Sequence, residues 1–192
     1  MIKAFGPGRA QREHPGAPVF LLGHSMGGAV ALACALRYKG SLKGLALSAP
    51  ALATGEAVSS FKRLTLRLLS SLAPNAGALT LPAKAISRDP AVVEAYEQDP
   101  LVFRGAIPAR TIVELLQAMA AFPASAPELR IPVLVQHGTA DSLVPLAATR
   151  PVYDLLGQPR ARTLRYYDGL FHEVYNEPER DRVIADLAAW IE

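Results

Sequence analysis

The sequence predicts an α/β fold of about four parallel strands, with flanking helices and a helical cap inserted after the second strand. Three observations predict it. Apolar, buried-type runs occur at residues 19–22, 42–48 and 132–136, and a β-favouring run at 162–167. Helix-forming stretches lie between the first two runs and between the last two, the alternation of βαβ units and a parallel sheet. Between Ala51 and about Leu129 that alternation stops, and helix-like stretches follow one another instead. The expected division is therefore a core of residues 1–50 and 126–192 and a cap or lid of residues 51–125.

A chain of 192 residues, 51% apolar, is long enough for one domain with a sizeable core. The net charge of +3 is modest and Lys and Arg are scattered, so nucleic acid is not an expected partner. A single cysteine, Cys34, excludes an internal disulfide framework and reads as a small buried packing residue in a helix. The first sixteen residues lack the apolar centre of a signal peptide, and no apolar run approaches the ~20 residues that span a bilayer. The expected location is cytoplasmic, peripheral at membranes at most.

Residues 1–17, rich in Gly, Pro and charge, read as a loop or a frayed helix end. The strand at 19–22 runs into Gly23-His24-Ser25-Met26-Gly27, and a helix follows to about Tyr38, with Gly40 as its stop. Strand–turn–helix is the context that gives a G-x-S-x-G string meaning. Such a turn holds Ser25 strained, with its hydroxyl exposed, and Gly23 and Gly27 are expected to flank it because side chains there would clash. The N–H of Met26, at the helix start, faces the place where an oxyanion would develop. A glycine-rich turn that merely contains a serine is the plainer alternative.

In the cap region, Phe61, Leu64, Leu68, Leu69 and Leu72 share one helical face, with Arg63, Arg67 and Ser70 opposite. That face has the pattern of an interfacial helix and is expected to touch a lipid surface; packing on neighbouring helices is the competing expectation. Residues 90–96 and 111–122 also have helix-like composition. After the strand at 132–136, a helix over 146–156 ends near Gly157. The last helix is expected to begin near Pro178, with Val183, Leu187 and Ile191 as its buried stripe.

A serine hydroxyl needs a neighbouring base, and the base an orienting acid. His172 follows the last strand, at the carboxyl edge of a parallel sheet where sites form, and is the best base. His24 is expected to project to the other side of the turn, and His14 lies in the leading loop. His137, ending a strand, suits a structural role at least as well as a catalytic one. Asp141 follows the third strand, giving the chain order Ser25, Asp141, His172. Asp168 is the rival acid, with turn formation beside Gly169 as its alternative role. His172-Glu173-Val174-Tyr175-Asn176 has Asn where H-E-x-x-H has its second ligand, so no metal is expected. No cofactor-binding glycine motif is found, and no cofactor is expected.

The segments GHSMGGAVAL, LSAPAL, ISRDPAVVEAYEQDPLV, HGTADSLVP and YDGLFHEVYNEPER together resemble the monoacylglycerol lipases, particularly bacterial ones. The resemblance runs from about His14 to Trp190, and its most specific part is residues 86–102. It implies a partial α/β-hydrolase fold and cleavage of monoacylglycerols to glycerol and fatty acid, with Ser25 as nucleophile, Asp141 as acid and His172 as base. Met26 then supplies one oxyanion N–H. Tyr96 matches a cap tyrosine near the glycerol end of the substrate, or simply packs the cap. Family members carry the first strands and an H-G oxyanion loop ahead of this region, so the chain resembles their C-terminal part. A catalytically impaired fragment, or an interaction module that self-associates through its exposed sheet edge, is the alternative. Lysophospholipid or simple esters are alternative substrates.

Overall fold

A computed structural model describes residues 8–38, 40–54 and 59–192. The expectations for residues 1–7, and for residues 55–58 early in the cap, fall outside these. The first element is a short helix, α1 (Gly8–Glu13), followed by β1 (Phe20–His24), α2 (Met26–Arg37) and β2 (Gly44–Ser48). Gly40 takes a positive φ of 85° just past α2, the left-handed backbone that a stop glycine provides. Next come α3 (Ser60–Leu72), β3 (Gly77–Leu79), α4 (Pro90–Gln98), β4 (Ile107–Pro108) and α5 (Ala109–Ser125). The chain closes with β5 (Val133–Gly138), α6 (Leu146–Tyr153), β6 (Arg162–Tyr167) and α7 (Arg180–Ile191).

Four strands form one parallel sheet in the order β1-β2-β5-β6, the expected fold class. Ser48 stands beside both His24 and Gln136 in the register, so the strands end level. Every residue of β2 and β5 is buried, because helices cover both faces of these central strands. On one face Leu45, Leu47, Val133 and Val135 meet Leu32 of α2, Phe122 of α5 and Tyr153 of α6. On the other, Gln136 bonds the Val183 carbonyl of α7, and Trp190 packs edge-on against Phe20. A Cβ at Gly44 would lie 2.7 Å from Trp190, so this contact requires glycine. Among the described residues, β1 has β2 as its one strand neighbour.

One expectation for the last helix needs correction. It starts at Arg180, near Pro178 as expected, after an extended Glu177 that is tied to Arg88. In its stripe Val183 is fully buried but Ile191 is 42% exposed, and Trp190 takes the inward position at that end. Cys34 is half-buried rather than buried.

α3, β3, α4, β4 and α5 lie between β2 and β5 in the chain, with β3 and β4 paired antiparallel. Phe122, at the end of α5, belongs to the main core. α3 sets the buried Ser70 and the half-buried Leu66 and Leu69 inward, and Arg63, Leu66 and Arg67 border a cleft of about 180 Å³ against Val113 and Leu116 of α5. Of the expected stripe, Leu69 is half-buried, whereas Phe61, Leu64, Leu68 and Leu72 are 78%, 57%, 55% and 85% exposed, so packing on neighbouring helices does not account for those four. Among the described residues, no helix is long and apolar enough to cross a membrane.

Candidate active site

Ser25 sits between β1 and α2 at φ 52° and ψ −125°, a backbone conformation sparsely populated by residues with a side chain. The surroundings hold it there. Its N–H donates to the Ser48 carbonyl at 3.0 Å, and its own carbonyl accepts from Gly28 at 2.9 Å and Ala51 at 3.0 Å. A Cβ at Gly23 would stand 2.5 Å from the Gly27 carbonyl oxygen, as expected for a closing strand and helix. The expectation for Gly27 fails, since a Cβ there would meet nothing within 4 Å. The second close approach belongs to Gly28, whose Cβ would fall 2.4 Å from that of Pro50. α2 begins at Met26, so the Met26 N–H is a first-turn donor with no acceptor inside the helix.

His172 bridges the other two residues of the expected order. Its Nδ1 lies 2.7 Å from Asp141 Oδ2 and its Nε2 lies 2.8 Å from Ser25 Oγ. The carboxylate opposite Nδ1 requires the proton on that nitrogen, leaving Nε2 to accept from the serine hydroxyl. Asp141 Oδ1 accepts from the N–H groups of Leu143 and Val144, both at 2.9 Å. Burial pushes the Asp141 carboxyl up. Hydrogen bonds from His137 and His172, the charge of His172 and the Val144 N–H outweigh that and hold it well below the usual carboxylate range.

The remaining candidates sort by position. His137 is fully buried, with Nε2 2.8 Å from the Val144 carbonyl and 3.1 Å from Asp141 Oδ2. Two acceptors there place the proton on Nε2, so Nδ1 accepts from the Tyr153 hydroxyl at 2.7 Å. Asp168 lies outside the triad, accepting from Thr139 Oγ1, which itself accepts from the Gly169 N–H. His14 is exposed. Tyr96 is half-buried on α4, and among the described residues no hydrogen bond joins its side chain to the triad. Both nitrogens of His172 are engaged as above, and Glu173 accepts from Asn176 within the loop.

The expectation for His24 is overturned. Its ring lies 4.8 Å from that of His172, centre to centre, and its Nδ1 is 3.1 Å from Ser48 Oγ. The strained Ser25 backbone and the level strand ends put both imidazoles on one side. Burial and then the neighbouring His172 lower the His24 pKa to about 4, so this ring is neutral near pH 7. Alternation along β1 could have signalled this, since His24 shares a face with Leu22 rather than Gly23.

A strained serine between strand and helix, level with an Asp and a His from later strand ends, is the arrangement of an α/β-hydrolase. The family described as serine aminopeptidase, S33, matches residues 3–179, and the chain belongs to it. The chain is similar to a monoacylglycerol lipase of Mycolicibacterium smegmatis, 41% identical over 187 residues, covering 96% of this chain and 65% of that protein. Human monoglyceride lipase is 33% identical over 184 residues, covering 94% and 60%. The chain thus spans just under two thirds of the length of these relatives. The crystal structure of a Paleococcus ferrophilus monoacylglycerol lipase superposes with a TM-score of 0.82 at 27% identity, covering 96% of this chain and 74% of that one.

Proposed function

We propose that the chain carries the catalytic centre of a serine hydrolase that cleaves carboxylic esters through an acyl-enzyme, with monoacylglycerols as substrates and glycerol and fatty acid as products. The observation that carries this reading is the unbroken line from Ser25 Oγ through His172 to Asp141, with contacts of 2.8 and 2.7 Å. Ser25 Oγ attacks the ester carbonyl while His172 Nε2 takes its proton. The Met26 N–H stabilises the oxyanion, and His172 returns the proton to the departing glycerol oxygen. Asp141 keeps the imidazole in the correct tautomer and stabilises its charged form. Water then repeats the sequence on the acyl-enzyme, and no cofactor is required.

The substrate class rests on the relatives' names and on the apolar exposed stripe of α3. Residues 51–125 act as the cap in this reading. Their stripe of Phe61, Leu64, Leu68 and Leu72, flanked by Lys62, Arg63 and Arg67, suits peripheral contact of a cytoplasmic protein with an anionic lipid surface. Tyr96 is assigned to the glycerol end of the substrate.

A fluorophosphonate probe tests the centre: labelling is expected at Ser25 and lost in Ser25→Ala. Folded, monodisperse protein that takes no label refutes the reading. Among substrates, a monoacylglycerol is expected to turn over faster than a lysophospholipid or a short soluble ester.

A further inference from the structure

Two stretches take no part in the serine chemistry, yet the fold joins them: Ile86-Ser87-Arg88-Asp89-Pro90 ahead of α4, and Glu173–Glu179 after His172. Asp89 caps α4 by accepting from the Ala91 N–H at 2.9 Å, and Pro90 opens the helix. The other three residues of the first stretch face the His172 loop. The Ile86 carbonyl accepts from the Glu173 N–H at 2.8 Å, and Ser87 Oγ donates to the Asn176 carbonyl at 3.1 Å. The Arg88 N–H and Nε donate to Glu177 at 3.1 and 2.9 Å, and its outer nitrogen pairs with Glu179.

Glu177 is the centre of this arrangement. It is 1% exposed, and its Oε1 accepts from the Phe171 N–H at 2.9 Å as well as from Arg88. The backbone N–H groups on both sides of His172 are therefore held by one structure: Phe171 by Glu177, and Glu173 by Ile86. The pair joins a buried carboxylate to an arginine that stays partly in solvent, and burying a charge in this way is a poor source of stability compared with apolar packing. Its directional bonds do something packing cannot, fixing the register of an irregular loop. The His172 ring needs that, because its side chain reaches Asp141 on one side and Ser25 on the other, and an error of about 0.5 Å spoils both.

We propose that Glu177 and Arg88 are positioning residues that hold the His172 loop from the cap side, so that alignment of the imidazole on Ser25 depends on where residues 86–88 sit. This inference rests on the serine-hydrolase reading of the site. It makes the cap segment a control point for the base, distant in sequence and outside the reacting groups.

The test uses the full chain and three variants, Arg88→Met, Arg88→Lys and Ser87→Ala. Two quantities are read: the rate of fluorophosphonate labelling at Ser25, and hydrogen exchange at the Phe171 and Glu173 amides. Arg88→Met keeps the aliphatic stem and removes the charge. It is expected to slow labelling at saturating probe by about tenfold or more, with half-saturation unchanged. Exchange at residues 171 and 173 is expected to quicken while β2 and β5 exchange as before. Arg88→Lys is expected to retain more of the rate than Arg88→Met. A purely structural role would lower thermal stability and leave the labelling rate per folded molecule at the parental value, which overturns the proposal. Parental exchange at 171 and 173 in Arg88→Met overturns it too. If Arg88→Met does not fold, Ser87→Ala decides the same way through the lost Asn176 tie. A parent chain that takes no label refutes the serine-hydrolase reading instead, and the two amides still report on the positioning pair.

Discussion

Replacing Asp141 by Asn tests the site more sharply than removing it, because the structure dictates which way the amide must turn. Oδ1 accepts two backbone N–H groups at 2.9 Å, from Leu143 and Val144, and an amide nitrogen cannot accept either. The amide oxygen therefore stays at Oδ1, and the NH2 group takes the Oδ2 position opposite His172 Nδ1. His172 then has to offer a lone pair at Nδ1 and carry its proton on Nε2, facing Ser25 Oγ with nothing to accept the serine proton. A wrong tautomer in a correct geometry costs about 10⁴ in turnover, or about 5.5 kcal/mol of barrier. Folding suffers less. Two hydrogen bonds to a buried carboxylate are lost, but so is its desolvation, leaving a net loss on the order of 1–3 kcal/mol. The sign of the pH dependence follows from the depressed Asp141 pKa. Its stabilisation is present above the unfolded value of about 3.9 and is lost as pH falls toward the folded one. The stability gap between parent and variant is thus constant near neutrality and closes in acid. Labelling rates at Ser25 and urea unfolding between neutral pH and pH 3 measure both parts. A variant labelled within tenfold of the parental rate refutes the tautomer reasoning, and a gap that widens in acid refutes the linkage.

Other expectations follow from neighbouring contacts. His24 has a folded pKa lowered to about 4 from 6.5, so parent stability falls by on the order of 3 kcal/mol as pH drops from 6.5 to 4. His24→Gln is expected to flatten that part of the unfolding profile. Gly28→Ala drives a Cβ to 2.4 Å from Pro50 and is expected to cost about 1–3 kcal/mol by denaturant unfolding. Gly27→Ala meets open space in a helix and is expected to stabilise by about 0.5–1 kcal/mol. Leu64→Glu or Leu68→Glu, at exposed positions of α3, is expected to weaken binding to anionic vesicles and slow long-chain monoacylglycerol turnover while sparing short esters. Equal loss on both substrates with a lowered melting temperature would refute that assignment of the stripe.

Sequence alone determined what depends on neighbours along the chain. The period of apolar runs marks all four sheet strands, and β2 and β5 read as continuous apolar segments because both of their faces are covered. The turn at Ser25 and the stop at Gly40 are local backbone chemistry and were legible as such. Chain order and strand ends also named the three residues that meet, though Ser25 and His172 lie 147 positions apart. Chain order favoured Asp141 over Asp168, and across the sheet Asp141 lies 2.7 Å from His172 while Asp168 accepts from Thr139. For His24, a strained turn aims its side chain, and only the level strand ends bring His172 beside it. The close approach at Gly28 rather than Gly27 depends on where Pro50 lies, and the outward apolar stripe of α3 on which side α5 takes. Glu177 carries no local sign at all, reading as one of several acidic residues ahead of a helix. Its role exists only once Arg88, 89 positions earlier, is folded against it. Periodicity and turn chemistry are written within a few residues, whereas a buried charge finds its partner only when the whole chain has closed.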